Sequence, residues 1–224
     1  VKPNSTCPKC KTAIKPWQNI PIISWIMLKG KCANCSNPIS ARYPIVEAIT
    51  ALLSLVIAYS FGATEHALLY IFVTWILVAL TFIDIDHMLL PDQLTYPLLW
   101  VALLWSISDL SDMTPASAII GAAAGYLSLW SVFWAYKLIT GKEGMVYGDF
   151  KLLAAITAFT GATLLPVTIL ASSVCGAIIG LIMLRRQSRS QPIPFGPFLI
   201  GGGLLSYFYG MELLFSYWHW LGGT

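Results

Sequence analysis

Phe82-Ile83-Asp84-Ile85-Asp86-His87-Met88-Leu89-Leu90-Pro91-Asp92 sets three carboxylates within nine residues, between two long apolar segments. Carboxylates are costly beside a bilayer, so acids crowded at the edge of an apolar segment are functional candidates rather than packing. A second island, Gly144-Met145-Val146-Tyr147-Gly148-Asp149-Phe150-Lys151, begins another apolar segment and adds a further acid. Around these islands 57% of the 224 residues are hydrophobic and only 10% are charged, with a mean hydropathy of +0.73. Such a balance excludes an ordinary soluble domain and predicts an all-α polytopic membrane protein.

The apolar segments fall at about 44–62, 66–84, 93–108, 115–138, 149–162, 164–184 and 195–217, which predicts about seven transmembrane helices. The fifth is short, and its tight connection to the sixth around Gly161 to Pro166 leaves open an incomplete hairpin. Seven crossings make a test of charge possible. With residues 1–43 in the cytoplasm, Lys2, Lys9, Lys11, Lys15, Lys29, Lys31 and Arg42 lie inside, as do Lys137, Lys142, Lys151, Arg185, Arg186 and Arg189. All thirteen basic residues then share one side, while the opposite loops carry Glu65, Asp109 and Asp112. Both acidic islands therefore face the cytoplasm. Gly121, Gly125, Gly176, Gly180 and Gly201 to Gly203 offer places for close helix contact, since small residues let helices approach in lipid.

Residues 1–43 form a polar head, expected as a domain separate from a membrane domain at 44–224. The head carries Cys7-Pro8-Lys9-Cys10 and Cys32-Ala33-Asn34-Cys35. Two Cys-x-x-Cys pairs about twenty residues apart match a four-thiolate zinc site, which has no open position and so serves structure. The alternatives are two disulfides or unliganded thiols, less compatible with the cytoplasmic side. The segment Trp17 to Leu28 is apolar but broken by Pro21, too short to span, and reads as part of the metal module or as an interfacial segment. Cys175 is expected to be a small buried hydrophobe. The chain starts at Val1 without a signal-peptide pattern, which predicts a missing amino-terminal piece.

The acids differ in what else they could be. Asp92 follows Pro91 and reads as a helix N-cap. Asp86 reads equally as a solvated loop acid or a site neighbour, and Asp149 as an N-cap or a catalytic group. His87 reads as an interfacial side chain. Lys151, two residues beyond Asp149, points elsewhere on a helix and is not its automatic ion-pair partner. One acid from each island, held close together, would share a proton: one would activate water and the other would protonate a peptide carbonyl. Gly148 before Asp149 would admit a close approach by backbone or substrate.

Together the four cysteines, Asn19-Ile20-Pro21-Ile22, Gly30-Lys31-Cys32, Arg42-Tyr43-Pro44 with Glu47, Asp84 to Asp92, Gly144 to Leu152 and Pro194-Phe195-Gly196-Pro197-Phe198 resemble the bacterial type IV prepilin peptidases. The resemblance covers essentially the whole chain. It implies that Asp84, seven residues before the proline of the inner loop, is the first catalytic aspartate, and that Asp149, ending the family's Gly-x-Gly-Asp motif, is the second. It implies cleavage of prepilin or pseudopilin leaders after a glycine at the cytoplasmic face of the bacterial inner membrane, beside pilus or type II secretion machinery. It further implies methylation of the new amino terminus with S-adenosylmethionine, for which Gly30, Lys31 and Glu47 are candidates, and no nucleic-acid partner. Family members also carry a hydrophobic span before the cysteine head.

The chain departs from the motif at Val146, which stands where the first glycine is expected. Extra volume there is expected to narrow the site or shift Asp149, so Val146→Gly is expected to raise activity. The rival reading is a cation-coupled transporter or channel in which Asp84, Asp86 and Asp149 bind the ion. Against it, the acids lie at one rim and no span has a polar, broken centre. A third reading is a structural zinc membrane protein without catalysis.

Overall fold

The computed structural model describes residues 5–142, 144–186 and 193–220, and the side chains of 184–186 are not described. Lys2 and Arg189, two of the cations used for orientation, lie outside the described residues. The structure is helical, and among the described residues extended pairing is confined to two isolated bridges. After the short α1 (Ile23–Met27) come α2 (Arg42–Phe61), α3 (Glu65–His87), α4 (Asp92–Trp105), α5 (Pro115–Thr140), α6 (Tyr147–Thr160), α7 (Leu165–Arg186) and α8 (Gly196–Trp220).

Helices α2 to α8 answer one to one to the seven segments expected from sequence. Five helical segments among the described residues are long and apolar enough to cross a membrane. The other two, α4 and α6, have 14 residues each. At 1.5 Å per residue they rise about 21 Å, short of a hydrocarbon core of about 30 Å.

The chain divides into two compact units, Val1–Val78 and Ala79–Thr224, with the division inside α3. In the first unit the two cysteine pairs form matching turns. Lys11 N–H donates to Cys7 O (2.9 Å) and Ser36 N–H to Cys32 O (3.0 Å), and each turn closes on a bridge, Thr6 with Ala13 and Lys31 with Pro38. Between them, the Trp25 indole N–H donates to Ile39 O (3.1 Å), and Gly30, at φ +67°, lies against the Trp25 ring. Ile22 adopts φ +62°, and its N–H is held by Glu47 Oε2 of α2 at 2.8 Å. Trp75 on α3 donates its indole N–H to Ser54 Oγ on α2 (2.9 Å).

In the second unit α6 is the centre. It packs on α4, α5 and α8, and 11 of its 14 residues are buried, so it has no lipid-facing stripe. Its small residues Gly148, Ala154, Ala155 and Ala158 make that possible. On the facing helix α5, Gly121 and Gly125 lie against the backbone of α6 at Thr157 and Leu153, with no room for a side chain at either glycine. Thr114 caps α5 by accepting Ser117 N–H (3.2 Å), with Pro115 at the first helical position. Gly161, at φ +80°, ends α6 and sends the chain straight into the 3-10 turn Ala162–Leu164 before α7. Helices α7 and α8 are joined by Thr168 Oγ1 donating to Ser206 Oγ (2.8 Å), both fully buried. Cys175 is exposed on α7, contrary to the buried position expected for it, because the helix turns that residue away from its neighbours.

Candidate active site

Asp84 occupies the last turn of α3 and Asp149 the first turn of α6. Both are buried, at 4% and 5% exposed, in a unit whose interior is otherwise mainly apolar. Leu90 lies beside both: a Cβ on Gly196 would meet Asp84 and Leu90, and one on Gly148, next to Asp149, would meet Leu90. Asp86 is exposed. Two residues along a helix turn the side chain by about 200°, which is why only one of these neighbouring acids enters the interior.

Three connections hold the pair. The Asp84 carbonyl accepts Met88 N–H (2.8 Å), and Met88, at φ +52°, reverses the chain after α3. That reversal tucks Leu90, 3% exposed, between two glycines from other elements. A Cβ on Gly148, next to Asp149, would lie 2.7 Å from Leu90 Cβ; one on Gly196 would lie 3.2 Å from Leu90 Cδ2. The close approach expected at Gly148 is therefore made by this chain's own Leu90. Finally, Gly196 N–H, at the start of α8, donates to Asp84 Oδ2 at 2.8 Å. Among the described residues, no fully enclosed side-chain nitrogen or oxygen lacks a hydrogen-bond partner.

Val146 immediately precedes α6, with φ −96° and ψ 142°, values open to any L residue. Its side chain is 45% exposed, and its carbonyl accepts Asp149 N–H (3.1 Å). Asp92 is the first residue of α4 rather than its cap, a place taken by Pro91. Its carboxylate accepts from Lys151 Nζ at 2.6 Å, and that ammonium also lies 5.0 Å from the Tyr96 ring centre. Lys151 thus joins the starts of α4 and α6. Sequence reading missed this ion pair and the Gly196 bond, because both link residues more than fifty positions apart. The signal for the second was the Pro194 to Phe198 motif, which carried no assigned role.

The four head cysteines meet at one point. Their sulfurs lie within 4.8 Å of one another, with Cys7 and Cys35 at 3.9 Å. A disulfide needs about 2.05 Å. A zinc tetrahedron with Zn–S of about 2.3 Å has sulfurs about 3.8 Å apart, which fits. The thiols cannot all ionise without a cation. Hydrogen bonds from Thr12, then Asn34, lower Cys10 to about 6. At Cys35 the Asn37 backbone favours the thiolate, but burial and the neighbouring sulfurs outweigh it and raise the group to about 11. Of the methyl-transfer candidates, Gly30 forms the turn under Trp25 and accepts Ile39 N–H (2.7 Å), Glu47 holds Ile22, and Lys31 is exposed beside its bridge to Pro38.

Residues 1–61 match the bacterial peptidase A24 N-terminal domain, and residues 71–181 match the type IV leader peptidase family. The chain is 54% identical to a prepilin leader peptidase/N-methyltransferase of Aeromonas salmonicida, over 93% of this chain and 72% of that protein. It is 49% identical to the one from Pseudomonas aeruginosa (99% and 77% covered) and 44% identical to the one from Legionella pneumophila (96% and 77%). No solved structure matches the chain.

Proposed function

The chain belongs to the type IV leader peptidase family, and on that premise we propose how its two buried acids perform the cleavage. It is a multi-pass membrane enzyme, a prepilin leader peptidase and N-methyltransferase. The transporter reading has nothing in its favour. Asp84 and Asp149 are the catalytic pair. Two adjacent buried carboxylates hold one proton between them, since two charges at short range in a dry site repel. The charged member takes a proton from water, whose oxygen attacks the scissile carbonyl carbon. The protonated member donates to the carbonyl oxygen, and collapse of the tetrahedral intermediate passes a proton to the leaving amine.

The observation that carries this reading is that α3 and α6 bury one acid each at the same place, while Asp86 is left outside. Asp84→Asn and Asp149→Asn are each expected to lower prepilin cleavage in membranes by at least about a thousandfold, the size of losing a general acid-base group. Cleavage retained by either folded variant would remove that residue from the pair.

Several finer points rest on the sequence. The scissile bond follows a glycine, and it is presented at the cytoplasmic face of the inner membrane, where the positive-inside pattern puts both acids. The products serve pilus or type II secretion machinery. Zinc on Cys7, Cys10, Cys32 and Cys35 ties the two turns of the head together. S-adenosylmethionine, when bound, would offer an electrophilic methyl group to the deprotonated new amino nitrogen and leave as S-adenosylhomocysteine. Gly30, Lys31 and Glu47 are the residues to test for that step, two of them already serving the fold of the head.

A further inference from the structure

We propose that Gly196 is a positioning residue for cleavage: its backbone N–H fixes the Asp84 carboxylate, and its lack of a side chain keeps that carboxylate in place. The inference rests on the catalytic reading of Asp84. The first N–H groups of a helix have no partner within the helix. Gly196 opens α8, and its otherwise unsatisfied N–H points at Asp84 Oδ2, 2.8 Å away and 112 residues earlier in the chain. The helix end also presents partial positive charge to the carboxylate. With Oδ2 committed to this bond, Oδ1 is the oxygen left for water and for the shared proton. A buried carboxylate without the bond would rotate about its last torsion, which has broad wells.

The glycine is required by space as well as by the bond. A Cβ there would stand 2.7 Å from Asp84 Oδ2 and 3.2 Å from its carboxyl carbon, with Leu90 Cδ2 also at 3.2 Å. Leu90 is itself pinned by Gly148, so it has little room to yield. An added methyl must therefore move the reacting group. The Pro194-Phe195-Gly196-Pro197-Phe198 motif brings α8 to the site for this purpose: Phe198 and Leu199 N–H both close on Phe195 O at 3.1 Å, fixing the first turn behind Gly196.

The test compares full-length enzyme variants in membranes on prepilin cleavage and, separately, on methylation of a pilin whose leader is already removed. Gly196→Ala is expected to lower kcat for cleavage by about a hundredfold, the scale of an ångström misplacement of a reacting group, with KM changed less than about threefold. Methylation should stay within about twofold, which reports an intact protein. Leu90→Ala added to Gly196→Ala should not restore cleavage, because the carboxylate is still displaced. Rescue by Leu90→Ala, or a kcat near that of the parent, would overturn the proposal.

If Gly196→Ala fails to fold, the bond is read in the parent backbone from the exchange rate of the Gly196 amide proton in a glycine-labelled sample. Since no helical carbonyl protects that amide, Asp84→Ala should speed its exchange at least about tenfold. Equal exchange in both proteins would sink the proposal. An Asp84→Asn variant that still cleaves would instead remove the catalytic reading beneath it.

Discussion

Val146 is the residue at which family resemblance and local geometry part. The resemblance predicts that a glycine there would raise activity. In the structure the valine is half-exposed in an extended conformation open to any L residue, and it meets Asp149 through its carbonyl. Val146→Gly is therefore expected to leave kcat/KM within about twofold and to lower stability by about 0.5–1 kcal/mol, through the entropy of the freed backbone. Paired cleavage assays and detergent melting curves check both numbers, and a several-fold gain in turnover would show that side-chain volume at 146 matters. Asp84 and Asp149 were legible in the sequence as acids opposite apolar segments. Their separation from Asp86 is a matter of helical phase, and without the family motif the spacing left those two acids open.

Among the elements, the helices α2 to α8 were legible because an apolar run has only one way to satisfy its backbone in lipid. Their partners were not. The Gly121 and Gly125 pair signals close contact, but periodicity does not say against which helix. The structure sets both against α6, where Thr157 and Leu153 present backbone atoms. Gly125→Val would force α5 and α6 apart and is expected to cost about 2–3 kcal/mol, at the upper end for overpacking a filled interior. Denaturant titration in detergent would measure it, and a loss below about 0.5 kcal/mol would mean that the two helices separate freely. Asp92 is the other lesson at this scale. Proline followed by aspartate reads as a cap, yet the carboxylate goes to Lys151 on α6, 59 residues away, a pairing no local pattern encodes.

At the scale of the molecule, the division at Val78 assigns the cysteine turns to one compact unit and both buried acids to the other. If zinc ties the first unit together, a chelator acting on the full-length enzyme should abolish most methylation while cleavage falls less than about threefold, since metal binding contributes folding energy to small modules of this kind. Zinc added back should restore methylation. Equal loss of both activities would show that the second unit depends on the first.

The burial of α6 on every side has a consequence for how this enzyme tolerates change. A lipid-facing helix accepts substitution with a rhythm of about 3.6 residues, because only one stripe touches protein. Saturation mutagenesis scored by cleavage should show such a rhythm along α2, which exposes most of its length, and none from Gly148 to Thr160, where all but two positions are buried. Within that segment Lys151 and Phe159 should stand out as the permissive sites, being the two that are not fully enclosed. An even intolerance of this kind, ordinarily taken as the mark of a long active-site surface, would here record a packing fact about one short helix.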